Sequence, residues 1–72
     1  MPIERKPIRR GGIRSAGHDR ASRVLEIEFD NGEVLQYVAV GDEIARRFLA
    51  SNAPGSYYKD NIQEEFTVRR VR

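Results

Sequence analysis

The sequence predicts a small α+β fold: an antiparallel three-stranded meander, one packed helix, a second short helix and a C-terminal edge strand. Three observations carry that prediction. Apolar and polar residues alternate on both sides of Asn31-Gly32, an amphipathic stretch follows Asp42, and alternation returns over Phe66 to Val71. The 72 residues make one domain and are too few for two. So short a chain buries only about 60 % of the surface it exposes when unfolded, which makes its core thin. Without cysteine it has neither disulfides nor thiolate zinc sites, and its single histidine makes no transition-metal site by itself. No metal and no cofactor are expected, and oligomerisation stays open as a source of stability.

Residues 1–10 read as a flexible basic arm, because Pro2 and Pro7 interrupt regular structure and no period of 2 or 3.6 runs through them. The single domain then occupies residues 11–72. Gly11-Gly12 is a hinge or bulge ahead of a first strand over Ile13 to Gly17, and His18 to Ser22 has the Asp and Ser chemistry of a turn. In the next segment Leu25, Ile27 and Phe29 alternate with Val24, Glu26 and Glu28. A two-residue Asn31-Gly32 turn would set Ile27 opposite Gln36. A three-residue Asp30-Asn31-Gly32 loop with Gly32 left-handed sets Ile27 opposite Leu35 and Leu25 opposite Tyr37, with Glu26 facing Gln36 and Glu28 facing Val34 on the other side. The second register pairs the apolar side chains with one another on the core face and is the one expected.

Asp42 is the expected N-cap of a helix over Glu43 to Ala50, whose apolar face is Ile44, Phe48 and Leu49 with Ala45 beside them. Ser51 to Gly55 ends it. Ser56 is the expected cap of the second helical segment, where Tyr58 and Ile62 fall one turn apart. The predicted core is Ile13, Leu25, Ile27, Phe29, Leu35, Tyr37, Ile44, Phe48, Leu49, Tyr58, Ile62 and Val68.

This order of elements resembles the KTSC domain, a small family found alone in bacteria and at the C-terminus of some lysyl-tRNA synthetases. The likeness rests on Leu25 to Phe29, on the hairpin strand ending in Tyr37 and Val40, on Gly55 to Ile62, and on Arg69 to Val71. It spans roughly residues 11 to 71. The family's central Tyr-x-Tyr falls on Leu35-Gln36-Tyr37, so only the second tyrosine is kept, and Gly41 stands where the family often has proline. The resemblance implies no established activity. RNA binding is suggested for the family through its attachment to a synthetase.

Charge gives the functional reading its direction. The net charge of +2 is uneven: residues 1–23 carry seven basic side chains against two acidic ones, and Arg69, Arg70 and Arg72 close the chain. Arginine outnumbers lysine eleven to two, and the guanidinium fork grips phosphate bidentately. The expected nucleic-acid contacts are Arg9, Arg10, Arg14, Tyr57, Lys59, Arg69 and Arg70, with Tyr57 at the rim of the second helix as a stacking ring. RNA or single-stranded DNA is the leading partner; a protein partner or self-association through the sheet edge is the alternative.

The catalytic readings are weaker. Glu26 and Glu28 on an open strand face lack the burial that drives paired carboxylates apart in pKa. His18, Asp19, Ser15 and Ser22 have the residue types of a hydrolase triad but lie along a turn. Gly55-Ser56 reads as a cap before it reads as an anion site. The chain is therefore expected not to be an enzyme. It shows no signal-peptide pattern and no membrane-length apolar run, which makes a cytoplasmic location the expectation.

Overall fold

The computed structural model describes residues 3–72. The chain runs β1 (Lys6–Arg10), β2 (Ile13–Asp19), β3 (Val24–Phe29), β4 (Val34–Tyr37), α1 (Asp42–Ala50), α2 (Pro54–Asn61) and β5 (Val68–Arg70). The five strands form one antiparallel sheet in the order β1-β2-β3-β4-β5. Both helices are inserted between β4 and β5 and pack on the sheet face that carries Leu25, Ile27 and Tyr37.

The central hairpin takes the bulged register. Leu25 faces Tyr37, Glu26 faces Gln36, Ile27 faces Leu35 and Glu28 faces Val34. Gly32 sits at φ +89°, a left-handed value that only glycine adopts without strain, and its N–H donates to the Phe29 carbonyl at 2.9 Å. The Asn31 side chain accepts the Glu33 N–H at 2.9 Å and closes the loop.

The three-stranded meander with its edge strand undercounts the sheet, because part of the expected arm is strand β1. The first two residues of that arm lie outside the described residues. Lys6 pairs with Ala16, Pro7 with Ser15 and Arg10 with Ile13. Pro7 is tolerated because β1 is an edge, where the missing N–H faces no partner. Arg9 at φ 55° makes the register break between Pro7 and Arg10. Gly11-Gly12 is neither hinge nor bulge: both residues have positive φ, as a two-residue type I′ turn requires, and Arg10 and Ile13 pair across it. The following turn also shifts. His18 and Asp19 finish β2, and the chain reverses over residues 20–23.

Neither expected helix cap forms. α1 begins at Asp42 itself, with Gly41 as its cap and the Ala45 N–H bonded to the Gly41 carbonyl at 3.1 Å. The Asp42 carboxylate still sits where the helix dipole favours it. α2 begins at Pro54, where the lost N–H is one the helix leaves unbonded in any case, so Ser56 lies inside the helix and is exposed.

The core joins Ile13, Ala16, Leu25, Ile27 and Tyr37 of the sheet to Val40, Ala45, Phe48, Tyr58 and Ile62. α1 turns Ala45 and Phe48 inward, which leaves Ile44 half-buried and Leu49 37 % exposed, against the predicted apolar face. Val68 is exposed as well, because β5 is an edge strand of the sheet. Phe29 and Leu35 are half-buried, while Val24 and Val34, left out of the predicted core, are buried.

Candidate functional site

Alternation along β3 and β4 sends Glu26, Glu28 and Gln36 to the face opposite the helices. There they do not stand alone. Arg5 Nε lies 3.5 Å from Glu26 Oε2, and Gln36 Nε2 donates to Glu26 Oε1 at 2.8 Å. Gln36 Oε1 in turn accepts from Arg69 through Nε at 3.2 Å and Nη2 at 2.7 Å. One row of side chains thus crosses the sheet from Arg5 to Arg69.

A second row centres on Glu28. Its Oε1 accepts the Ser15 hydroxyl at 2.9 Å, and its Oε2 lies 3.4 Å from Arg72 Nη2 and 3.9 Å from Arg14 Nη1. Arg14 also donates to the Asp30 carbonyl at 3.1 Å. The two carboxylates are recessed, with side chains 12 % and 14 % exposed, while Arg14 and Arg72 remain more than half exposed. Four guanidinium groups therefore surround two sunken carboxylates. Solvent meets the positive part of the cluster first.

Gly17 is what lets the N-terminal segment reach this face. A Cβ there would overlap the Glu4 carbonyl oxygen and come within 3.1 Å of the Arg5 Cα, so the backbone at Glu4-Arg5 passes directly against β2. Arg5 Nη1 is buried and has no hydrogen-bond partner among the described residues.

The predicted contact residues divide among several places. Arg14 and Arg69 belong to the sheet-face cluster. Arg9 and Arg10 end β1 at one edge, whereas Arg69 and Arg70 lie on β5 at the other, four strand spacings away or about 19 Å. Arg70 pairs with Glu33 at 3.6 Å. Tyr57 and Lys59 are on α2, in the helical layer. The Tyr57 ring is half-buried against Phe48, with centroids 6.3 Å apart. Arg5, Gln36 and Arg72 were missed. Gln36 was readable from the register that pairs it with Glu26, but Arg5 was not, because the strand that carries its neighbours was read as an arm.

The catalytic constellations come apart in the same way. Glu26 and Glu28 are held by arginines on an open face, not in a cleft. The Asp19 carboxylate accepts the Ser22 hydroxyl at 2.8 Å and the Ala21 N–H at 3.1 Å, which together hold it below its ordinary pKa. His18 turns the other way and meets the Val40 carbonyl at 2.8 Å. Among the described residues no helix is long and apolar enough to cross a membrane, and no three His, Cys, Asp or Glu side chains cluster to hold a metal.

Known proteins share this architecture. The family model for the KTSC domain matches residues 11–66. An uncharacterised protein of Stutzerimonas stutzeri (strain A1501) is 29% identical over 56 residues, which is 78% of this chain and 79% of that protein. The crystal structure of a KTSC domain protein from Yersinia pestis is similar at a TM-score of 0.93 and 27% identity, covering 99% of this chain and 100% of that one. None of these descriptions indicates an enzymatic family.

Proposed function

We propose that this chain, which belongs to the KTSC domain family, is a non-catalytic binding module that holds the phosphate backbone of RNA or single-stranded DNA on its open sheet face. The observation that carries the reading is the set of four guanidinium groups, Arg5, Arg14, Arg69 and Arg72, over two recessed carboxylates on the face that packs neither helix. Guanidinium forks match phosphate geometry, and clustered positive charge draws in a polyanion. The two rows also hold these side chains in place, which lowers the entropy lost on binding.

Backbone contact is the whole of the mechanism. Tyr57 packs in the helical layer, away from this face, and Tyr37 is buried. With no ring to stack a base, phosphate contacts position the strand without reading its sequence. The alternative partner, a protein strand added to a sheet edge, meets poor edges. β1 carries Pro7 and the left-handed Arg9, and β5 is three residues long with two arginines.

The test is fluorescence polarisation with mixed-sequence RNA and DNA oligomers across a salt series. Three to four phosphate contacts on a single strand give a slope of log K against log salt of about −2 to −3. The triple variant R14A/R69A/R72A should lose about three quarters of that slope, with the fold intact by circular dichroism. Unchanged binding in the variant, or affinity insensitive to salt, would sink the proposal.

A further inference from the structure

On the helical side of the sheet, between β1, β2 and α1, runs an open groove of about 470 Å³. Ala16 of β2 and Ala45 of α1 border it but are fully buried, so the apolar side chains it presents to solvent are Leu49 and Ala50 of α1. Leu49, exposed and facing no core, forms part of the wall. The volume falls within the range of small-molecule sites, and so does the mixture of an apolar lining with a few polar groups.

Two cations line the groove, Lys6 from β1 and Arg46 from α1. Among the described residues neither has a carboxylate within ion-pair distance, unlike Arg20 at the groove's end, which lies 3.4 Å from Asp42. Glu4 also lines the groove and has no cationic partner among the described residues, so the site favours one negative charge over two.

The other end is marked by His18, whose side chain is only 5 % exposed. Its Nε2 lies 2.8 Å from the Val40 carbonyl, which only accepts, so Nε2 carries a proton. Nδ1 is 4.0 Å from Asp42 Oδ1, too far for a hydrogen bond between them. Asp42 Oδ1 faces Arg20 instead, whose Nε lies 3.4 Å away.

The geometry points to a small-molecule site in this groove for a singly charged organic anion: a carboxylate held by Lys6 and Arg46, and an apolar body against Leu49 and Ala50. The groove is independent of the arginine face on the other side of the sheet.

The experiment is an amide chemical-shift titration of the full chain with hexanoate, hexyl phosphate and hexanediol. Saturable shifts at Lys6, Ala16 to His18 and Ala45 to Ala50 are expected, tightest for hexanoate, weaker for hexyl phosphate, and weakest for hexanediol. The exposed double variant K6A/R46A, which leaves the core untouched, should weaken hexanoate at least about tenfold. R69A/R72A should leave it unchanged. Hexanediol binding as tightly as hexanoate, hexyl phosphate binding more tightly than hexanoate, or no saturable shift in the groove would each overturn the assignment.

Discussion

Tyr37 and Tyr58 meet through their hydroxyl oxygens at 2.5 Å inside the protein, and Phe29 and Tyr37 both stand edge-on to the Tyr58 ring. Burial first, and then the bond to Tyr58, push the Tyr37 phenol well above its ordinary pKa of 10.0, so it stays a neutral partner in the physiological range. Each hydroxyl satisfies the other. Tyr37→Phe should therefore cost about 1–2 kcal/mol, because it strands the Tyr58 hydroxyl, whereas Y37F/Y58F should cost clearly less than the two single variants added together. Urea unfolding measures all three, and additive costs would mean that the hydroxyls do not depend on each other. Asp19 supports a second prediction. The Ser22 hydroxyl, and after it the Ala21 N–H, lower its pKa from 3.8, so the turn gains support above that pH and loses it as pH falls through the lowered value. Ser22→Ala should move the Asp19 titration back toward 3.8, read by carboxyl-carbon NMR. No movement would give the backbone N–H the main role.

The strands show where sequence reading worked and where it failed. The β3–β4 register was legible because a one-residue slip would have put Ile27 against Gln36, and only a left-handed Gly32 allows the better match. β1 was not legible, because Pro7 and four flanking charges hide its one inward residue, the half-buried Ile8. Its turn has a signal, Gly11-Gly12, which fits a hinge or bulge as readily as the two-residue turn it forms. The helix caps failed for a related reason: Asp42 and Ser56 have capping side chains, but the chain enters each helix through Gly41 and Pro54. Since the segment before β1 passes against Gly17, a methyl group there should lift it. Gly17→Ala should expose the amides around Arg5 and Lys6 to hydrogen exchange and break the Arg5–Glu26 contact, while β3 and β4 keep their protection. Uniform loss of protection over the whole sheet would instead make β1 part of the cooperative core.

At the scale of the molecule, a fold of sheet and helical layers gives the chain two faces with different chemistry. The sequence shows an excess of arginine at both ends, yet not that the sheet would send Arg10 and Arg69 to opposite edges. Nor does it show that Arg5 and Arg72, which bracket nearly the whole chain, would close on glutamates of the central hairpin. Those glutamates make the charge reading decidable. Glu28 holds both Arg14 and Arg72 and contributes a negative charge beneath them. A phosphate bound by the two arginines would lie about 7 Å from that carboxylate, where repulsion in water is about 0.6 kcal/mol, or roughly threefold in affinity. Glu28→Gln keeps an oxygen for the Ser15 hydroxyl and removes the charge. If the sheet face holds phosphate, this variant should bind RNA about threefold more tightly at low salt, and the gain should shrink as salt screens it. Weaker binding would mean that Glu28 serves mainly to position the arginines. No change, with the fold intact, would move any nucleic-acid contact off this face altogether.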